Sequence, residues 1–436
     1  MKRGVVLSGG GTKGAYELGV WEALRELSVD FQIVTGTSIG SINGAIMASG
    51  DYDICETMWH EMSMGDLMSE ERDMSETVKR FFTDGGSVSD YMSARLIAGA
   101  VDNSPFPEFI EKNIDEKRLR ASGCDYGLVT VRIRDRKPFC LSKKDIPEGL
   151  LKEYIIASSS VYPVFPMKLI GQDYFIDGMY YDNLPIDLAI SMGATELIVV
   201  DLHMEPQHPN YAGRPYVTYI TPSEDLGGIL SFNNDVIEKN IRMGYRDTMR
   251  AFGRYKGYVY CFKPESLKGC KEAIESFNVG CAREEATINQ NTKNRIKRAG
   301  EIYRMFSILE KYARGKEVGK EGYFLRGAEI AAEIFGLSRE TIWDMEDMIK
   351  EVHEAAGQGE AYPDAATFLS DSRHIKRQMK RIKKEHDSKY VTGCLYYAGR
   401  QRDIDYARML SILSYFPEEL AAALFLLATD RTYMIK

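Results

Sequence analysis

Two glycine-rich segments near the start of the chain carry residue types suited to acyl-transfer chemistry. The first, Gly9-Gly10-Gly11-Thr12-Lys13-Gly14, follows the short apolar run Val5-Val6-Leu7. The second, Gly36-Thr37-Ser38-Ile39-Gly40, has the form G-x-S-x-G and follows Phe31-Gln32-Ile33-Val34. A G-x-S-x-G turn between a strand and a helix exposes a serine hydroxyl, and backbone amides at a helix N-terminus can hold an oxyanion. The pair therefore predicts a serine nucleophile that faces an oxyanion-binding loop.

Each segment taken alone has another interpretation. The glycine loop is also typical of a phosphate or dinucleotide cradle, but its spacing is neither G-x-G-x-x-G nor G-x-x-x-x-G-K-[ST]. The second segment is also typical of a small-residue turn, in which Gly36 and Gly40 lack the Cβ atoms that would collide. The short-chained stretch from Ser41 to Ala48 then predicts a buried helix whose N-terminus points at Ser38.

A serine hydroxyl needs a base to accept its proton, and two residues are candidates. His203 follows the strand-like run 196–202, a position that suits the last member of a Ser-Asp-His triad, although an ordinary loop histidine is the plainer interpretation. Asp177-Gly178 lies between two aromatic runs, where a hairpin turn is the plainer interpretation. Beside Ser38 and the glycine loop, Asp177 is the better candidate.

The three motifs together resemble the patatin-like phospholipase family over roughly residues 4–250. The resemblance implies a lipid acyl hydrolase with a Ser-Asp dyad, in which Ser38 is the nucleophile and Asp177 is the base. It implies that the oxyanion hole is formed by backbone amides of Gly9, Gly10 and Gly11. It also implies a phospholipid, lysophospholipid or other fatty-acyl ester as substrate, with no cofactor and no metal.

Weaker features extend the resemblance. The segment 157–166 looks like the one before the family's aspartate, and Asn183 and Pro185 look like the residues after it. Met179 departs from the pattern, because the family usually has a small residue after the Asp-Gly pair. A bulkier side chain there reshapes the pocket without removing a catalytic group. Headgroup, acyl-chain length, acyl position and the choice between hydrolase and acyltransferase stay open.

Length and pattern predict two domains. At 436 residues the chain exceeds what one hydrophobic core normally spans, and 44% hydrophobic residues is ordinary for a globular protein. We predict an α/β fold, with a three-layer patatin-like hydrolase core and a mostly parallel central sheet over residues 1–265. An α-helical C-terminal domain of unknown role is expected over residues 266–436.

Periodicity places the elements of the first domain. The expected strands are Val5–Ser8, Phe31–Thr35, Tyr126–Ile133, Tyr174–Ile176 and Leu197–Leu202. The expected helices are Tyr16–Leu27 and Ser41–Ala48, and residues 51–119 are expected to supply helices that wall the pocket. Further on, 216–220 is a candidate strand, 230–252 a candidate helix, and 258–262 a strand expected to close the sheet.

The second domain shows long helical patterns and no motif that selects a role. They cover 287–312, 327–335 and 403–427, and Pro417 is expected to break the last of them in two. The segment 375–384 places Ile375, Met379 and Ile382 at helical spacing beneath a basic face. It suits either an anionic membrane surface or a helix that packs its narrow apolar stripe on the protein.

Composition excludes several classes of protein. A formal net charge of −8 argues against nucleic-acid binding. Seven scattered cysteines without C-x-x-C spacing argue against a disulfide framework or a structural zinc site. No apolar stretch has the length of a signal peptide or a membrane span, so cytoplasmic residence is expected, with any membrane contact peripheral.

Three functional hypotheses follow from these residues. The favoured one is a Ser38-Asp177 lipid acyl hydrolase. The second is a triad esterase that uses His203. The third is an inactive binding or scaffold protein, disfavoured because all the expected chemical groups are present. The oligomeric state stays open.

Overall fold

A computed structural model describes residues 2–67, 103–292, 305–311, 318–357, 362, 365, 375–400 and 412–430. The chain forms two compact units, Met1–Phe252 and Gly253–Lys436. The division into 1–265 and 266–436 stays a prediction from the sequence. In the part of the chain that the structure describes, no helix combines the length and apolarity needed to cross a membrane.

The first unit is built on an eight-stranded sheet. Its strands are β1 (Arg3–Leu7), β2 (Ile33–Gly36), β3 (Asp125–Arg132), β4 (Lys137–Ser142), β5 (Lys168–Ile170), β6 (Asp173–Asp177), β7 (Glu196–Val200) and β8 (Val217–Ile220). The order is β5-β6-β3-β2-β1-β7-β8, with β4 paired to β3. Strands β3, β2, β1, β7 and β8 run parallel, whereas β4, β5 and β6 join as antiparallel strands. The predicted, mostly parallel sheet is confirmed.

Side chains of the central strands alternate between the two faces of the sheet, which explains why helices pack on both faces. In β1, Val5 and Leu7 belong to one hydrophobic cluster and Val6 belongs to another, because successive side chains point to opposite faces. Helices of the first unit are α1 (Ala15–Glu26), α2 (Ile39–Ser49), α3 (Tyr52–Glu61), α4 (Pro105–Asn113), α5 (Glu116–Ala121), α6 (Leu151–Ser158), α7 (Ile186–Ser191) and α8 (Asn234–Ala251). Those on the Val5 side include α1, α2 and α8, and α7 packs on the Val6 side. The predicted three-layer core is confirmed.

The sequence missed β4 and β5. Strand β5 has only three residues, and the residues of β4 are all partly or fully exposed, so neither produces the apolar run that marks a central strand. Strand β5 forms a hairpin with β6, which pairs antiparallel with one side of β3, whereas β4 pairs with the other side of β3. Asp177 at the end of β6 pairs with Thr130, two residues beyond Leu128, which pairs with Gly36 of β2.

The second unit is helical with one short strand pair. Its helices are α9 (Lys271–Thr292), α10 (Met305–Leu309), α11 (Lys320–Phe335), α12 (Met345–Ala356), α13 (Ile375–Glu385), α14 (Ser388–Arg400) and α15 (Pro417–Thr429). The predicted helical C-terminal region is confirmed. Pro417 opens α15 within its first turn, where a missing N–H costs nothing. Parts of the predicted helices 287–312 and 403–427 lie outside the described residues.

Residues 258–262 do not close the main sheet, which corrects the prediction. Only β9 (Cys261–Phe262) is a strand, and it pairs with β10 (Ile342–Trp343) inside the second unit. The buried Glu329 carboxylate explains the difference. It accepts hydrogen bonds from the amides of Tyr258, Val259 and Tyr260 at 2.6, 2.8 and 3.0 Å, so these amides are not available to a strand ladder.

Helix α13 contains the basic segment singled out in the sequence. Met379 and Ile382 are buried in the core of the second unit. These two residues of the apolar stripe are therefore packed on the protein, whereas the cationic side chains at 377, 380, 381, 383 and 384 are exposed.

A pair of glycines lets α1 and α8 approach closely, and this contact is testable. A Cβ on Gly244 would lie 2.0 Å from the carbonyl oxygen of Tyr16, and one on Gly19 would lie 1.8 Å from that of Ile241. We expect Gly244→Ala to lower the free energy of unfolding by about 3 kcal/mol, because backbone must move to make room. Gly123→Ala is the control, since a Cβ there meets nothing within 4 Å. Urea unfolding measures both, and equal stabilities would contradict the packing argument.

Candidate active site

Ser38 lies at the turn between β2 and α2 with a strained backbone. Its φ of 56° and ψ of −127° are unusual for a residue with a side chain. The turn is tight enough to exclude larger neighbours. A Cβ on Gly36 would come within 2.0 Å of the Gly40 carbonyl oxygen, and a Cβ on Gly40 within 2.7 Å of the Leu7 carbonyl oxygen. Both glycines of the G-x-S-x-G segment are thus required by the backbone path.

Hydrogen bonds hold this turn in place. The Ser38 amide donates to Ser158 Oγ at 3.1 Å, and the Ser158 hydroxyl donates to the carbonyl oxygen of Val129 at 2.7 Å. The Ser38 carbonyl accepts from the Ser41 hydroxyl at 2.6 Å. The sequence analysis noted the segment 157–166 but assigned no role to Ser158. Its hydrogen-bond partners, Ser38 and Val129, are distant from it in the sequence.

Asp177 is fully buried at the end of β6. Its Oδ1 accepts a hydrogen bond from the Met179 amide at 2.7 Å, while the buried Oδ2 has no hydrogen-bond partner among the described residues. Burial raises the pKa of Asp177 to about 7, against the opposing influence of the Met179 amide and the Ser38 hydroxyl. The Ser38 hydroxyl therefore interacts with the Asp177 carboxyl group and favours its charged form.

The glycine loop connects β1 to a short 3-10 helix at Gly11–Gly14. Gly11 has a φ of +59°, and a Cβ there would lie 1.9 Å from the Ile229 carbonyl oxygen. The Gly9 amide donates to the Asn183 carbonyl at 3.0 Å, so the structure uses this predicted oxyanion donor to fix the loop. Within the described residues, no acceptor is found for the amides of Gly10 and Gly11.

The side chains of Asn183 and Gln207 fix the position of the glycine loop through hydrogen bonds. Asn183 Nδ2 donates to the Gly9 carbonyl at 3.1 Å and to Ser8 Oγ at 3.3 Å. Gln207 Nε2 donates to Ser8 Oγ at 3.2 Å and to Asp201 Oδ1 at 2.7 Å. Sequence analysis noted Asn183 and missed Gln207, which shows no local pattern.

His203 and Asp201 form a second acid-imidazole pair near the loop. His203 Nδ1 lies 3.1 Å from Asp201 Oδ1, and Tyr219 donates to Asp201 Oδ2 at 2.8 Å. Burial alone would raise the pKa of Asp201, but hydrogen bonds from His203, Gln207 and Tyr219 outweigh it and lower the pKa. Because a carboxylate only accepts, the imidazole proton belongs on Nδ1.

A cavity of about 250 Å³ adjoins these groups. Ser38, residues 9–13 and His203 border it, and most of its wall is apolar. The apolar wall includes Phe106, Phe109, Val164, Phe165, Leu202 and Ile229. The Phe106 ring stacks on Phe109 at 6.2 Å and on Phe165 at 6.1 Å between centroids. Among the described residues, no aspartate or glutamate borders the cavity.

The structure thus brings together a strained serine, a buried carboxyl group, an apolar cavity and two amides for which the described residues provide no acceptor. Such groups can attack a carbonyl carbon, take up a proton and hold a developing negative charge.

Comparison with known proteins finds similarity to one family over the first part of the chain. The family model "Patatin-like phospholipase" matches residues 5–190. The patatin-like phospholipase domain-containing protein 6 of Homo sapiens is 29% identical over 205 residues, which are 45% of this chain and 13% of that protein. Lysophospholipase NTE1 of Mycosarcoma maydis is 26% identical over 203 residues, which are 46% of this chain and 10% of that protein. The chain spans only a small part of the length of these relatives.

Two solved structures are also similar. VipD from Legionella pneumophila aligns over 98% of this chain and 90% of its own, with 12% identity and a TM-score of 0.40. The type III effector protein ExoU aligns over 95% of this chain and 93% of its own, with 12% identity and a TM-score of 0.26. Scores at this level carry no conclusion about activity.

The raised pKa of Asp177 predicts a pH-dependent stability. Between the ordinary value of 3.8 and about 7, the unfolded chain releases a proton that the folded chain keeps, so stability falls as pH rises through this window. We expect Asp177→Asn to remove this loss, on the order of 4 kcal/mol at pH 8 and little at pH 4. Thermal unfolding at the two pH values measures it. The exposed Asp30→Asn is the control, and an equal gain at both pH values would contradict the assignment.

Proposed function

We propose that this chain is a serine lipid acyl hydrolase of the patatin-like phospholipase family, whose model matches residues 5–190, and that it cleaves carboxylic esters. One observation carries the proposal. Ser38 and the amides of Gly10 and Gly11 border the same apolar cavity, and the hydroxyl of Ser38 lies beside the buried Asp177 carboxylate. A nucleophile, a base, an oxyanion site and an acyl pocket are the parts that ester cleavage needs.

The first step forms an acyl-enzyme. Ser38 Oγ attacks the ester carbonyl carbon while Asp177 Oδ2, the oxygen without a partner among the described residues, accepts the hydroxyl proton. A pKa of about 7 makes Asp177 a far better proton acceptor at neutral pH than an ordinary aspartate. Asp177 then gives this proton to the departing alkoxide oxygen as the C–O bond of the tetrahedral intermediate breaks, so the alcohol leaves and the carboxylate is restored.

The glycine loop supplies the electrostatic part of the mechanism. We assign the oxyanion contacts to the Gly10 and Gly11 amides, each able to lower the barrier by about 3 kcal/mol. Gly9 has a positioning role, because its amide donates to the Asn183 carbonyl. In the second step, water attacks the acyl-enzyme, Asp177 again serves as the proton relay, and Ser38 recovers its proton.

The lining of the cavity supports a fatty-acyl substrate. Each buried methylene contributes about 0.8 kcal/mol, so an apolar wall of aromatic and aliphatic side chains favours a long acyl chain over acetate. Lys13 and His203 are the basic residues on this wall, and no carboxylate among the described residues opposes them. A phospholipid or lysophospholipid, with its anionic headgroup, fits this charge distribution.

We expect Ser38→Ala to abolish covalent labelling by a fluorophosphonate probe and Asp177→Asn to slow it at least about 100-fold. The reason is that the first variant lacks the nucleophile and the second lacks the base. Intact-mass spectrometry measures the adduct, and hydrolysis of a lysophospholipid measures turnover. The exposed Ser191→Ala should label like the native protein. A native chain that does not label would contradict the proposal and favour the scaffold hypothesis.

A triad esterase is the second candidate, because Asp201 orients His203 and His203 borders the cavity. The contacts of the two candidate bases argue for the dyad. The Ser38 hydroxyl interacts with the Asp177 carboxylate and lowers its pKa against the effect of burial. Within the described residues, the ring of His203 is instead hydrogen-bonded to Asp201.

His203→Ala separates the two mechanisms. The dyad predicts that labelling of Ser38 slows far less than the roughly 100-fold or greater loss that removal of a general base causes. The control is His208→Ala, on the same loop but away from the cavity wall. A loss for His203→Ala as large as that for Asp177→Asn would overturn the dyad and support the triad.

A further inference from the structure

A buried acid near the glycine loop takes no part in the proposed reaction. Glu17 lies in the first turn of α1 and is 3% exposed. Its Oε2 accepts a hydrogen bond from Asn43 Nδ2 at 2.8 Å. Its Oε1 is buried and has no hydrogen-bond partner within the described residues. A buried carboxyl group with one unused oxygen is costly, so its retention calls for a physical reason.

Asn43 connects Glu17 to both halves of the site. It lies on α2, the helix that begins after Ser38, and its Nδ2 also donates to the carbonyl of Gly14 at 3.0 Å. Its Oδ1 accepts from Trp59 Nε1 at 3.1 Å. The amide can have only this orientation, because the reverse one would point Oδ1 at the Gly14 carbonyl.

We propose that Glu17 is a positioning residue that, through Asn43, holds the glycine loop against α2 and so fixes the oxyanion amides relative to Ser38. The inference rests on the proposed function, since it assumes that Ser38 attacks and the loop binds the oxyanion. Close packing supports it. A Cβ on Gly14 would lie 2.6 Å from Ile39 Cγ1, so the end of the loop has little free space against the first residue of α2.

The protonation state of Glu17 determines whether Asn43 donates its hydrogen bond to a neutral or to a charged carboxyl group. Burial raises the pKa of Glu17 to about 8, although Asn43 and the Ser8 amide favour the charged form. In the acid form Oε2 accepts from Asn43, so the proton belongs on Oε1. Ionisation then places a charge in the interior that one short hydrogen bond from the described residues does not offset, so the closely packed arrangement of Glu17, Asn43 and the loop is destabilised relative to a looser one that admits water.

The groups that face Glu17 do not compensate its charge. They are Asn43 from α2, the Ser8 amide from the loop and Cys55 from α3. Of these, Cys55 titrates. Burial raises the pKa of its thiol, and the charges of Glu17 and Glu56 raise it further, so Cys55 stays neutral beside Glu17. Ionisation of Glu17 should therefore reduce the rate of attack by Ser38.

The test measures the rate constant of Ser38 labelling by a fluorophosphonate from about pH 6 to about pH 10. We expect the native rate to decline above a pH of about 8, and Glu17→Gln to keep the neutral rate while losing the decline. Glu17→Met, which lacks the hydrogen bond, should label about tenfold more slowly or worse at every pH. Glu22→Gln, exposed on the same helix, should keep the native profile.

Thermal unfolding verifies that the variants fold. Because the pKa of Glu17 is raised from 4.5 to about 8, its cost to stability grows across that window, and Glu17→Gln should raise the Tm more at pH 8.5 than at pH 5. A Tm effect without any change in the labelling profile would mean a structural role only and would overturn the inference. So would a decline that persists in Glu17→Gln. A native chain that never labels would instead defeat the proposed function itself.

Discussion

The site depends on how closely backbone segments approach one another at the end of the central strands. Ser38 can adopt its positive φ because neither Gly36 nor Gly40 brings a Cβ into a space already filled by carbonyl groups. The same crowding allows only glycine at position 11, where the left-handed backbone faces the Ile229 carbonyl. The energy stored in this turn is offset by the packing of α2 on the sheet, which is buried along nearly its whole length.

Burial determines the electrostatics of the site as well as its stability. Asp177 and Glu17 are both removed from water with few hydrogen-bond donors, and the pKa of each is raised into the neutral range. Asp201 is equally buried but is surrounded by donors, and its pKa is lowered. For these three carboxyl groups, the number of hydrogen-bond donors thus decides whether burial raises the pKa or is outweighed, and Asp177 is the one of the three whose pKa the Ser38 hydroxyl influences.

Sheet topology brings the groups of the proposed site to one edge from distant parts of the chain. The glycine loop and Ser38 follow neighbouring parallel strands, as their positions after apolar runs predicted. Asp177 reaches the same level from the opposite direction, on an antiparallel strand. The apolar runs in the sequence do not predict that Asp177 lies at the end of an antiparallel strand. The direction in which a strand pairs depends on its hairpin and on its partner strand.

The sequence by itself determined the elbow, the glycine loop, the mostly parallel core and the helical second half. These features depend on local backbone requirements and on periodicity, which neighbouring residues encode. Only the tertiary structure decided that the Gly9 amide donates to the Asn183 carbonyl, that Glu329 accepts from the amides of residues 258–260, and that Asn43 of α2 donates to the loop at Gly14. Each of these is a hydrogen bond between segments far apart in the chain, as in the 174 positions that separate Gly9 from Asn183. No local pattern encodes such a contact, because it exists only once both segments are packed.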